Sequence, residues 1–178
     1  MSNKTAQAER LRQRFALYDT NGDGRIERGD LEAEARRIVE AFGEPEKSPK
    51  AQALLQAYPH MWDYMMEQAG LDAGQSLTVE QFVEIADAQM LSQGAVGFST
   101  MLRPSIRAMV DLCDVDGDGE VDQREFRKWL GAIGSDIDAD KAFRQVDTDG
   151  SGRLSVDELV AAVGKYHAGE LDAPLLGV

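Results

Sequence analysis

Between Asp114 and Glu125 the chain reads Asp-Val-Asp-Gly-Asp-Gly-Glu-Val-Asp-Gln-Arg-Glu, with carboxylates at positions 1, 3, 5, 9 and 12 of a twelve-residue stretch (Asp114, Asp116, Asp118, Asp122 and Glu125). Short acidic side chains at alternate positions of a tight loop can all turn towards one centre. A hard divalent cation takes roughly six to eight oxygens at about 2.3–2.6 Å. Gly119 at position 6 permits a sharp bend, the peptide carbonyl of Glu120 offers a neutral oxygen at position 7, and Glu125 can swing both its oxygens in from the opposite side. The chemistry open to such a stretch is chelation of calcium.

The spacing recurs. Asp147 to Glu158 places Asp147, Asp149, Ser151, Ser155 and Glu158 at the same positions around Gly152. Asp19 to Asp30 repeats it with Asp19, Asn21, Asp23 and Glu27 around Gly24, but ends on Asp30 where the others end on Glu. A fourth copy, Gly70 to Gln81 with Leu77 at position 8, keeps one charged ligand of four: Gly70, Asp72, Gly74 and Gln81 occupy positions 1, 3, 5 and 12, and Gln75 holds the bend. This copy is expected not to hold calcium. Three loops in register, each with an aliphatic residue at position 8 and helical patterning on both sides, carry the signature of the EF-hand. EF-hands come in pairs, which gives the fourth copy a reason to persist.

The loops need helices on both sides. Ala8, Leu11, Phe15 and Tyr18 recur at helical spacing before the first loop; Leu31, Ala35, Ile38, Val39 and Phe42 follow it and end at Gly43. Ser48 before Pro49 reads as an N-cap and first helical residue. The segment 50–69 contains Pro59, so a kink or two short helices are expected there. Thr78 and Gln81 form a capping box at the start of the next helix, which runs to about Leu91. The glycines of 92–97 mark a link between two lobes, 1–91 and 98–178. Ile106, Met109, Val110 and Cys113 line the helix entering the third loop; Phe126, Trp129, Leu130 and Ile133 line the one leaving it. Ala142, Phe143 and Val146, then Leu159, Val160, Val163 and Tyr166, flank the last loop. Ile26 is expected to pair with Leu77, and Val121 with Leu154, in two-stranded ribbons. The fold class is all-α, four EF-hands in two paired lobes packed as one globule.

Composition fits a folded chain of 178 residues with 43% hydrophobic content and a formal charge of −13. The charge concentrates in the loops, and three divalent ions, adding six positive charges, would take it to −7. So acidic a chain offers no electrostatic case for nucleic acid or an anionic membrane. Cys113 is the single cysteine, expected as a buried reduced thiol. With no apolar segment near Met1, Ser2 where myristoylation needs glycine, and no run long enough to span a bilayer, a cytoplasmic monomer is the expectation.

The chain resembles the sarcoplasmic calcium-binding protein family over nearly its whole length. The four loops with a degenerate second, Asp30 closing the first, the segment Ala41-Phe42-Gly43, and the stretches Gln145 to Thr148 and Ser155 to Leu159 carry the resemblance. It implies a calcium buffer or transporter with two hand pairs face to face. By position, the implied ligands are Asp19, Asn21, Asp23, the Arg25 carbonyl, Glu27 and Asp30 in the first loop. They are Asp114, Asp116, Asp118, the Glu120 carbonyl, Asp122 and Glu125 in the third, and Asp147, Asp149, Ser151, the Arg153 carbonyl, Ser155 (through water) and Glu158 in the fourth. Asp30, a methylene shorter than Glu, should reach an ion with one oxygen, which favours six-fold coordination and makes Mg²⁺ acceptable there.

Two rivals stand beside the buffer. A calcium sensor would open a methionine-rich groove for an unidentified protein target, with Met61, Met65, Met66, Met101 and Met109 as candidates; core filling by methionine accounts for the same residues. A luciferin binder like the calcium-triggered photoproteins would need an aromatic cavity, for which His60 and His167 with neighbouring Tyr and Trp are the only candidates, and a pair of surface or core-edge histidines is the expectation. No nucleophile beside a base and no phosphate loop points to an enzyme. Leu171, Leu175, Leu176 and Val178 either dock as an internal ligand or fray.

Overall fold

Helices grow here from the loops outward. In the computed structural model, which describes residues 3–92 and 94–175 and the side chains of all of these but 3, 90, 91, 94, 95 and 98, the elements are α1 (Asn3–Tyr18), β1 (Arg25–Ile26), α2 (Arg28–Phe42), α3 (Pro49–Gln68), β2 (Leu77–Thr78) and α4 (Val79–Ala86). They continue with α5 (Gly94–Cys113), β3 (Val121–Asp122), α6 (Gln123–Ala132), α7 (Ala139–Val146), β4 (Arg153–Leu154) and α8 (Val156–Ala168). The ribbons have the expected register, Ile26 opposite Leu77 and Val121 opposite Leu154, all four buried. Each ribbon ties two loops back to back, so the ends of four helices converge on it.

Local chemistry explains the boundaries. Ser48 caps α3, its hydroxyl accepting from Ala51 N at 3.0 Å with Pro49 next. Thr78 caps α4 by accepting from Gln81 N, while Gln81 Oε1 accepts from Thr78 N at 3.0 Å. Gly43, in the left-handed region at φ 68°, ends α2 by donating to the Glu40 carbonyl.

Three stretches depart from the sequence pattern. Pro59 lies inside a single helix, α3, so two short helices are excluded. The helix after the second loop reaches Leu91, as expected, but its last turn, Asp87–Leu91, is π-helical. The glycine-marked link has largely become helix, because α5 begins at Gly94. Glycine costs a helix about 1 kcal/mol per residue relative to alanine, and the packing of α5 on α3 and α8 outweighs it.

The two halves share one core. Met61 and Met65 of α3, Met101, Leu102 and Ile106 of α5, and Phe15 and Phe82 belong to the same buried cluster as Phe126, Trp129 and Phe143. All five methionines named as groove candidates are buried, Met66 and Met109 completely. Polar ties cross between halves: Arg10 Nη1 donates to the carbonyls of Tyr166 and, at 2.8 Å, Leu171, and Lys50 Nζ donates to the Asp114 carbonyl at 2.9 Å. The tail is docked as far as it is described, with Ala173 and Leu175 buried and the Trp129 indole donating to the Leu175 carbonyl at 2.8 Å. Leu176 and Val178 lie outside the described residues.

Candidate metal centre

In each of the three complete loops, the first aspartate gathers backbone amides. Asp114 Oδ2 accepts from Gly119 N at 2.8 Å and its Oδ1 from Gly117 N at 2.6 Å. Asp147 Oδ2 accepts from Gly152 N at 3.0 Å and Oδ1 from Ser151 N at 3.0 Å. Asp19 Oδ2 accepts from Gly24 N at 2.9 Å and Oδ1 from Asp23 N at 3.1 Å. The position-6 glycines make this possible: at φ 79°, 80° and 78°, Gly24, Gly119 and Gly152 take a backbone conformation that side chains disfavour, and it aims their N–H groups back at position 1. The amides also stabilise charge. Burial alone would push the Asp114 carboxyl up, but the Gly119 and Gly117 N–H groups, with Lys50 nearby, outweigh it and hold the group below the usual range.

Further round the loop, the position-3 and position-5 side chains accept from amides two residues on. Asp118 N donates to Asp116 Oδ1 at 3.2 Å, and Glu120 N to Asp118 Oδ1 at 2.9 Å. Ser151 N donates to Asp149 Oδ1 at 2.9 Å, and Arg153 N to Ser151 Oγ at 3.3 Å. Asp23 N donates to Asn21 Oδ1 at 3.0 Å, and Arg25 N to Asp23 Oδ1 at 2.8 Å. Those turns leave the carboxylates convergent. One oxygen each from Asp114, Asp116 and Asp118 lie within 4.8 Å of one another, as do oxygens of Asp147, Asp149 and Glu158. Crowded hard oxygens with charge to spare fit a divalent calcium ion.

Position 12 closes the loop, and here the first loop differs. Glu125 reaches both ways, Oε1 accepting from Val115 N at 2.8 Å and Oε2 from Asp122 N at 2.9 Å. Glu158 does the same with Thr148 N and Ser155 N, both at 3.0 Å. Asp30 accepts from Glu27 N at 2.8 Å on its near side. Glu27, Asp122 and Ser155 at position 9 stand at the N-caps of α2, α6 and α8. One set of side chains therefore starts the helix and closes the loop.

The second loop, 70–81, lacks the centre. Position 1 is Gly70, with no carboxylate to gather amides; Asp72 Oδ1 accepts from Gly74 N at 2.7 Å, and the bend position, Gln75, does not enter the left-handed region. The capping pair Thr78 and Gln81 and the strand Leu77–Thr78 survive, so the loop keeps its structural half.

Three charged or titratable groups near the core escaped the sequence pattern. Arg14 is buried, its Nε and Nη2 donating to the Tyr18 hydroxyl at 3.1 and 3.0 Å. Glu34, on the buried face of α2, pairs with Arg37. His167 is buried, not at a surface or core edge, whereas His60 is exposed, so the two histidines do not share an environment. Burial, with Arg14 and Arg10 adding to it, pushes the His167 imidazole down to about 3. Position on an apolar helical stripe signals such burial, and for His167 the stripe Leu159, Val160, Val163, Tyr166 was there to be read. The Cys113 thiol is buried as expected and pushed up by burial, which makes it inert.

Arg14, Tyr18, Tyr58, Ser105 and His167 border a cavity of about 40 Å³ among Leu11, Met61, Met65, Phe82 and Ile106. Pockets for organic ligands run to roughly 300–1,000 Å³. The aromatic interior is packed.

Comparison with known proteins follows the same lines. The profile of the EF-hand domain pair matches residues 103–164, and that of a single EF hand matches residues 11–33. Calerythrin from Saccharopolyspora erythraea is 41% identical over 171 residues, 96% of this chain and 97% of the relative. The luciferin-binding protein of Renilla reniformis is 30% identical over 93% of this chain and 88% of its own. Among solved structures, a Streptomyces coelicolor calcium-binding protein connected with prokaryotic calcium-mediated regulation superposes with a TM-score of 0.71 at 28% identity, covering 91% of this chain and 98% of that one.

Proposed function

The chain belongs to the sarcoplasmic calcium-binding protein-like family of EF-hand proteins, close to calerythrin, and from that premise we propose that it is a calcium buffer or transporter holding three Ca²⁺. The ions would sit in loops 19–30, 114–125 and 147–158, on the side chains and position-7 carbonyls of Arg25, Glu120 and Arg153 named above. The first loop would also accept Mg²⁺. The loops would work as two hand pairs, residues 1–91 and 98–178, in a cytoplasmic monomer without catalytic activity. The observation that carries the buffer reading is the shared core: the apolar side chains that a sensor would expose, including Met61, Met65, Met66, Met101 and Met109, are buried in a cluster that both halves share.

A second reading is a sensor that regulates a protein target. It draws support from the Streptomyces coelicolor relative, which is connected with prokaryotic calcium-mediated regulation. A luciferin-binding role, suggested by the Renilla relative, is disfavoured by the 40 Å³ cavity. Calcium titration followed at once by calorimetry and by a hydrophobic dye separates buffer from sensor. A buffer gives heat from three sites with little change in dye fluorescence; a large rise in fluorescence at saturation would replace the buffer by the sensor.

A further inference from the structure

Arg153 occupies position 7 of the fourth loop, yet its side chain belongs to the third. The β3–β4 register sets Arg153 opposite Asp122, so the side chain leaves the ribbon beside the neighbouring loop. There Nη1 pairs with Asp118 Oδ2 and lies 3.7 Å from Asp116 Oδ2. Those carboxylates stand at positions 5 and 3 of the third loop. The N-terminal ribbon repeats the reach: Arg25, at position 7 of the first loop, donates from Nε to Ser76 Oγ of the second loop at 2.7 Å. Cross-ribbon reach is thus a product of the register, and what differs is the target. Arg25 meets a hydroxyl in a loop without a carboxylate centre. Arg153 meets the most acidic loop of the chain, with six carboxylates between Asp114 and Glu125.

We propose that Arg153 is a tethered counter-cation that tunes the third calcium site from within the fourth loop. This rests on the reading that both loops bind calcium. A carboxylate oxygen engaged by a guanidinium is less available to a metal ion, and a fixed positive charge beside the site repels a dication. Arg153 therefore competes with calcium at Asp116 and Asp118 while offsetting the repulsion among the acidic side chains. Its own carbonyl is the position-7 oxygen of the fourth loop, so a shift of that backbone on binding moves the competitor of the third site. The two sites are coupled through one residue.

Arg153→Gln tests this, with calcium titrations read by NMR at the amides of Gly119 and Gly152. Each amide donates to the first aspartate of its own loop, at 2.8 and 3.0 Å, and so reports that loop separately. The third-loop dissociation constant should fall by about two- to fivefold, the size expected when a partly exposed charge is removed, while the fourth moves less. The gain should shrink in 1 M KCl, where screening acts over about 3 Å. Without calcium, in chelator and low salt, the variant should melt below the unaltered protein. Arg127→Gln removes the same charge from an exposed pair with Asp140, outside the loops, and should leave the third site within about twofold by the same screening. Arg153→Lys, with the charge kept at shorter reach, should fall between and covers the case in which Arg153→Gln does not fold. Third-site affinity unchanged or weakened in Arg153→Gln, or an equal gain in Arg127→Gln, overturns the proposal alone. Amides that ignore calcium in the unaltered protein overturn the calcium reading, and this proposal with it.

Discussion

One methylene separates Asp30 from Glu125 and Glu158, and it changes what position 12 can touch. Both glutamates span from the position-9 amide to the position-2 amide, whereas Asp30 holds the Glu27 amide alone among these. A single-oxygen ligand suits the smaller octahedral ion. Asp30→Glu should accordingly strengthen calcium at the first site several-fold and weaken Mg²⁺ competition there, measured by calcium titration in millimolar Mg²⁺. An unchanged Mg²⁺ effect would count against it. His167 gives a second test at this scale. Its imidazole, pushed down to about 3 in the fold from an ordinary 6.5, refuses a proton that the unfolded chain accepts. The neutral form's contribution is complete above pH 6.5 and is lost as pH falls below it, by about 2 kcal/mol at pH 5. Melting in chelator between pH 7.5 and pH 5 should show this slope, and His167→Gln should flatten it.

At the scale of elements, the degenerate loop keeps the helix start without the carboxylate centre. Thr78 and Gln81 keep α4 started where Gly70 and Gln75 no longer form a cage. Thr78→Ala should cost about 1 kcal/mol, a fall in Tm of roughly 2–4 °C, with no change in the number of calcium ions bound. A loss of calcium sites by calorimetry would contradict that. The loops and caps were legible in the sequence because their geometry is set within twelve residues, by side chains that bond to nearby amides. The ribbon register was legible for the same reason, since position 8 fixes it. What the sequence hid was set by distant packing. Glycines at 94 and 97 read as a break but join α5 because α3 and α8 pack against it. The π-helical turn at Asp87–Leu91, and the crossings of Lys50 to Asp114 and Arg153 to Asp118, have no local pattern.

Across the whole molecule, burial joins what the loops divide. The tail closes the C-terminal half, with Leu175 buried and its carbonyl held by Trp129. Leu175→Ala should cost about 2–3 kcal/mol and raise dye binding of the calcium-loaded protein; an unchanged melt would mean that the tail adds nothing to the fold. The central claim is that three loops hold calcium and the second, 70–81, does not. Native mass spectrometry across a calcium titration counts the ions directly. Three ions should be retained at saturation, two after Asp114→Ala and three after Asp72→Ala. A fourth specific ion that disappears with Asp72→Ala, or fewer than three in the unaltered chain, would contradict the account.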